Sequence, residues 1–106
     1  MTSGVVFTPE AQTDLLDLYD HIAESGDGDR ALDYVQRIQA ACLRLHIFPE
    51  RGTRRDDIRP GLRVIGVERR VAIAFHIVAG TVIIDRVLYG GRDLGVLGQP
   101  DYSGGR

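Results

Sequence analysis

The stretch Val71-Ala72-Ile73-Ala74-Phe75-His76-Ile77-Val78-Ala79-Gly80-Thr81-Val82-Ile83-Ile84-Asp85-Arg86-Val87-Leu88 decides the fold. It holds two runs rich in β-branched and aromatic residues, separated by a break at Val78-Ala79-Gly80 where glycine supplies a left-handed position. The spacing predicts a β-hairpin. In its first strand Val71, Ile73, Phe75 and Ile77 share one face, while Ala72, Ala74, His76 and Val78 share the other. The bulky face is expected to meet helices. Alternation in the second strand is ambiguous, because Val82, Ile84 and Leu88 compete with Ile83 and Val87 for the inward side. Upstream, Leu62 to Val67 is a further strand candidate joined by a Glu68-Arg69-Arg70 turn, and two tight hairpins imply an antiparallel sheet.

Toward the N-terminus, Val5-Val6-Phe7 is a short apolar run ended by Thr8-Pro9-Glu10. Threonine can cap a helix, proline fits its first position, and glutamate favours its positive end. Ala11, Leu15, Leu18 and Ile22 then recur at spacings of three and four, which predicts an amphipathic helix stopping near Ser25-Gly26. A second helix follows, with Ala31, Val35, Ile38, Cys42 and Leu45 on its apolar stripe and Phe48-Pro49 at its end. The short connection makes the two helices an antiparallel hairpin. Residues 50–61 have turn formers at both ends, no periodicity and four arginines, and read as a loop. The expected fold is α+β in the order βααβββ: an antiparallel sheet with an N-terminal α-helical hairpin packed on one face.

With 106 residues, 43% hydrophobic and 26% charged, the chain suits one domain, expected over residues 1–97, with residues 98–106 as a flexible C-terminal tail. Cys42 has no disulfide partner, and no Cys/His pair has ligand spacing, so neither metal nor cofactor is expected. No basic segment followed by an apolar run opens the chain, and no stretch approaches the roughly 18 apolar residues of a membrane span. A cytoplasmic protein is expected. The net charge of −2 hides a polarity. Residues 1–33 carry eight acidic side chains against Arg30 alone, whereas residues 34–70 carry nine arginines against four carboxylates. Such a distribution suits an acidic partner for one face, although the two blocks can equally satisfy each other. No lysine occurs, which a codon bias explains as well as a demand for bidentate guanidinium contacts.

No catalytic set stands out. There is no Gly-x-Ser-x-Gly, phosphate loop or His-Glu-x-x-His. His21 and His46 read as helix-surface residues, and His76 falls near enough to Arg86 and Tyr89 in register for proton transfer. The carboxylate pairs Asp14/Asp17 and Asp56/Asp57 read as solvated faces, and Gly90-Gly91 as a turn.

Several segments together resemble a known family. Phe7-Thr8-Pro9-Glu10-Ala11 with Asp14-Leu15, followed by Leu18-Tyr19-Asp20-His21-Ile22-Ala23-Glu24, is similar to the first strand and helix of ParE-type toxins. Phe48-Pro49-Glu50-Arg51-Gly52 and Arg55-Asp56-Asp57-Ile58-Arg59-Pro60-Gly61-Leu62-Arg63 resemble that branch's loop and second strand. Ala74-Phe75-His76-Ile77-Val78 and Ile84-Asp85-Arg86-Val87-Leu88-Tyr89-Gly90-Gly91-Arg92-Asp93 resemble its closing hairpin. The resemblance, over about residues 5–93, is to the ParE branch of the RelE/ParE toxin superfamily.

It implies the toxin of a type II toxin–antitoxin system, a non-enzymatic inhibitor of DNA gyrase neutralised in a hetero-oligomer by a ParD-like antitoxin, with no direct nucleic-acid or membrane binding. On this reading Arg54, Arg55, Arg59, Arg63, Arg69, Arg70, Arg86 and Arg92 would contact the target, and Leu18, Ile22, Ala72, Ala74 and His76 the antitoxin. RelE-like relatives instead cut messenger RNA on the ribosome. That chemistry would fall to Arg63, Arg70, His76, Arg86 and Tyr89, but Ala72 stands where those nucleases tend to have an arginine. A non-toxic binding module of the same fold is the third reading.

Overall fold

In the computed structural model, which describes residues 4–90, the chain opens with a three-residue strand, β1 (Val5–Phe7), and turns at Thr8 into α1 (Pro9–Ala23). The Thr8 side chain caps α1 as expected, its hydroxyl accepting the Ala11 N–H at 3.0 Å. Helix α2 (Gly28–Leu43) starts at Asp27, whose carboxylate accepts the Arg30 N–H at 2.9 Å. It ends five residues before the expected Phe48, running into a 3₁₀ turn at Arg44–His46 that buries Leu45. A two-residue strand, β2 (Thr53–Arg54), lies inside the segment read as loop, followed by β3 (Arg63–Val67), β4 (Val71–Val78) and β5 (Thr81–Tyr89).

The sheet has the order β1-β5-β4-β3-β2. From β2 to β5 every pairing is antiparallel, as the hairpins require, but β1 runs parallel to β5, with Val5, Val6 and Phe7 opposite Val82, Ile83 and Ile84. The sheet is therefore mixed. Tight turns impose antiparallel pairing only on the strands they join, and β1 reaches β5 through the rest of the fold.

A β-bulge explains why β5 resisted a register from sequence. Ala74 pairs with Arg86 but Phe75 pairs with Ile84, which leaves Asp85 as the extra residue. The bulge inverts the side-chain parity midway along the strand. Val82 and Ile84 face the helices before it and Val87 after it, so inward residues come from both competing sets.

The inward side of β4 and β5 packs under the helical hairpin, as expected. Ala11, Leu15 and Leu18 of α1 and Ile38 and Cys42 of α2 meet Val71, Ile73, Phe75, Val82, Ile84 and Val87 in one buried cluster. Each large side chain removed from water there contributes about 1.5–3 kcal/mol. The outer face carries a second, smaller cluster of Leu62, Ala74 and Leu88, packed against Ile58 and Val64. The chain's own 55–62 segment thus covers Ala74. Residues 91–106, with Arg92, the expected domain end at 97 and the expected tail, lie outside the described residues.

Candidate functional site

Most of the chain's arginines fall into three settings that the sequence does not separate. The first is the bulge. A bulge leaves backbone groups without ladder partners, and here α1 supplies them. The Thr8 hydroxyl donates to the Asp85 carbonyl at 3.0 Å, and the Asp14 carboxylate accepts the Val87 N–H at 2.8 Å. The same carboxylate takes a two-pronged contact from Arg86, Nε at 2.8 Å and a terminal nitrogen at 2.9 Å. Asp14 is buried, its side chain 5% exposed, and the hydrogen bonds that Arg86 donates to it raise the guanidinium pKa above its ordinary value. Asp14 is therefore no solvated partner of Asp17, and Arg86 is spent inside the fold.

The second setting is the loop before β3. Arg54 forks onto Asp56 at 3.1 and 3.1 Å, and Arg55 forks onto Asp57 at 2.9 and 2.9 Å. These hydrogen bonds raise both guanidiniums and hold both carboxyls below the usual carboxylate range, with the Gly61 N–H also lowering Asp56. The loop is internally braced: Asp56 accepts that N–H at 2.8 Å, the Arg55 N–H reaches the Leu62 carbonyl at 2.8 Å, and Leu62 is fully buried. Arg59 reaches Asp85 at 3.2 Å, and the same Asp85 oxygen lies 2.7 Å from His76 Nδ1. Arg63 donates to the Arg51 carbonyl at 3.4 Å.

The third setting is the turn between β3 and β4. Glu68 and Arg69 hold φ values of 49° and 65°, left-handed backbone that costs a non-glycine residue about 1 kcal/mol each. Helix α2 clamps this turn: the Tyr34 hydroxyl donates to the Glu68 carbonyl at 3.4 Å, and Arg37 pairs with the Glu68 carboxylate at 3.3 Å while lying over the Tyr34 ring. Burial, then the nearby Tyr89 and Glu68, push the Tyr34 phenol upward. Between this turn and the α1–α2 end lies an open groove of about 1040 Å³ lined by Ile22, Tyr34, Tyr89 and arginines 30, 37, 69 and 70, with Asp33 and Glu68.

The expected target surface is thus divided. Arg54, Arg55, Arg59 and Arg63 gather at one end of β3, Arg69 and Arg70 stand beyond its other end roughly 13 Å away, and Arg86 is engaged by Asp14. The expected antitoxin residues scatter too. Leu18 is 3% exposed and belongs to the core, Ala74 is covered by Leu62 and Ile58, Ala72 is half-buried, His76 faces Asp85, and Ile22 lines the groove. The five nuclease residues do not converge. His76 and Tyr89 project from opposite faces and differ by five positions along β4, roughly 16 Å, so the proximity expected from register does not hold. His21 packs against Tyr89 with ring centroids 5.4 Å apart, and His46 bonds the Leu43 carbonyl at 2.7 Å.

Sequence reasoning missed the role of Asp14, the bond from Thr8 to Asp85 and the Tyr34–Arg37–Glu68 clamp. The turn left a legible sign, because Glu68-Arg69-Arg70 joins two strands without the Gly, Asn or Asp that left-handed positions favour. Asp14 left none, since its partners come from a strand 72 residues away. Among the described residues no group of three metal-ligating side chains forms, and no helix is long and apolar enough to cross a membrane.

Comparison with known proteins places this geometry in a family. No curated protein matches the chain. A solved structure described as the chromosomal ParDE TA system from P. aeruginosa superposes with a TM-score of 0.73 at 26% identity, covering 83% of this chain and 96% of that one. The sequence model of the ParE toxin of the type II toxin–antitoxin system parDE matches residues 5–94. Fold, order of elements and sequence agree, and the chain belongs to the ParE toxin family of type II toxin–antitoxin systems.

Proposed function

We propose that this toxin stops DNA replication by docking onto DNA gyrase, without turnover of its own, and that a ParD-like antitoxin neutralises it in the cytoplasm. One observation carries the non-enzymatic reading: Arg86, which a nuclease would need for the scissile phosphate, is committed to the buried Asp14 carboxylate. The separation of His76 from Tyr89 supports the same reading, because proton transfer needs the acid and base within reach of one substrate.

Target contact falls to the braced loop. Arg54, Arg55, Arg59 and Arg63 stand on a segment anchored by Leu62, so their guanidiniums are presented with little ordering cost on binding. The antitoxin has two footholds. β2 pairs only with Arg63 and Val64, which leaves Ile65–Val67 as a sheet edge without a strand among the described residues, and Ile22 opens onto the groove beside α2.

The deciding experiment assays the purified chain, with and without its antitoxin, for gyrase supercoiling and for ribosome-dependent transcript cleavage. Inhibited supercoiling with intact transcripts is expected. Intact supercoiling with cut transcripts would overturn the reading in favour of the nuclease. Replacing Arg54, Arg55 and Arg59 together by Ala is expected to weaken gyrase inhibition while leaving antitoxin affinity unchanged. Equal loss of both would mean that target and antitoxin share this loop.

A further inference from the structure

The groove beside the β3–β4 turn has the build of a binding site. Two of its arginines, Arg69 and Arg70, have no carboxylate within ion-pair distance among the described residues, unlike Arg37 (held by Asp33 and Glu68) and Arg30 (beside Asp27 at 3.7 Å). The turn carrying them is held in left-handed backbone by the Tyr34 hydroxyl and by Arg37, so the backbone from which both cations project is fixed before anything binds. Strain over-determined by neighbours clusters at ligand clamps. The floor is apolar and aromatic: Ile22, and Tyr34 edge-on to Tyr89 with centroids 6.4 Å apart.

From these observations we infer that the groove takes an acidic peptide segment of the antitoxin, a carboxylate docking on Arg69 and Arg70 and an apolar or aromatic side chain resting on Ile22, Tyr34 and Tyr89. The inference rests on the reading that a partner antitoxin neutralises this chain. Charge chooses a peptide over nucleic acid. A phosphate backbone would carry repeated charges past Asp33 and Glu68 in the groove wall and toward Asp27 beside Arg30, whereas a single carboxylate needs only the two guanidiniums that no described carboxylate holds. The volume of about 1040 Å³ suits several residues of chain.

The test pairs Arg69→Gly with Arg70→Gln. Glycine accepts the left-handed backbone at 69, so the substitution removes a cation while relieving strain. Circular dichroism and the thermal midpoint verify folding. Affinity for the purified antitoxin encoded beside this chain is expected to fall at least about tenfold and to lose part of its salt dependence, while gyrase inhibition persists.

Antitoxin affinity unchanged in this variant would overturn the groove assignment and leave the functional reading standing. Wild-type protein that binds no antitoxin at all would sink the functional reading itself. Loss of gyrase inhibition along with antitoxin binding would turn the groove toward the target. A single-stranded oligonucleotide that competes with antitoxin on wild type but not on the variant would give the groove to nucleic acid. Protection of Arg69 and Arg70 from phenylglyoxal in the toxin alone would show that the groove is already covered. Each of these three results overturns the inference.

Discussion

Arg86 with Asp14, and Arg54 and Arg55 with Asp56 and Asp57, are the same chemical pair in two regions of one small molecule. At the bulge the carboxylate is 5% exposed, receives three hydrogen bonds from Arg86 and Val87, and ties α1 to β5 across 72 residues. In the loop the partners stand two residues apart and half exposed, and each fork closes a local turn. Burial and sequence separation decide which pair holds the fold and which decorates its surface. The largest expected effect follows from this contrast. Asp14→Ala leaves a half-buried guanidinium and a backbone N–H without partners, and is expected to cost about 3–5 kcal/mol in denaturant unfolding. A loss no larger than that of a loop pair would break the comparison.

Thr8 completes the same bulge and tests it more gently. Thr8→Val keeps the shape but removes both the α1 cap and the donor to Asp85, so a loss of about 1–2 kcal/mol is expected. Gly52, at φ +81°, sits where an added Cβ would lie 2.7 Å from the Val64 carbonyl oxygen. Gly52→Ala is expected to cost about 1–2 kcal/mol and to loosen β2 from β3, read as faster amide exchange there. Cys42 sharpens the contrast as a reporter. Burial pushes its thiol up to about 12, so it should resist alkylation in the wild type and react faster in Asp14→Ala. With its folded value raised, this thiol contributes stability fully below about pH 9, and the contribution fades as pH rises from there toward 12.

What was legible in the sequence was what short-range pattern controls. The stripe Ala11, Leu15, Leu18 and the alternation Val71, Ile73, Phe75 predicted the faces that α1 and β4 bury, and Thr8-Pro9-Glu10 predicted where α1 starts. The parallel pairing of β1 and the bulge at Asp85 were not legible, because each is imposed by elements distant in the chain. The site divides in the same way. That arginines crowd residues 51–70 is plain from sequence, but which guanidiniums are committed depends on carboxylates that only the fold brings near. Ala74 shows the converse, since a residue on the outer strand face, expected to meet the antitoxin, is covered by Leu62 and Ile58.

The smallest expected effect on stability belongs to the loop forks, and it separates a structural role from a binding one. Asp56 and Asp57 titrate below the ordinary carboxylate range because Arg54 and Arg55 hydrogen-bond their charged forms. A depressed folded value means that their contribution is present above about pH 4 and is lost only as pH falls through the folded values. Exposed pairs of this kind are screened, so replacing both with Asn should leave the thermal midpoint at pH 7 within about 2 °C of wild type. Asparagine also keeps an acceptor for the Gly61 N–H, so the loop retains its brace. What changes is the freedom of Arg54 and Arg55, no longer neutralised by their own neighbours. If these guanidiniums meet an acidic face of the target, the double variant should associate faster and inhibit supercoiling more strongly, with the gain shrinking as salt rises. A midpoint that fell as far as that of Asp14→Ala would erase the distinction between the two pairs. Inhibition that weakened at constant stability would mean that the target reads the carboxylates as well as the arginines.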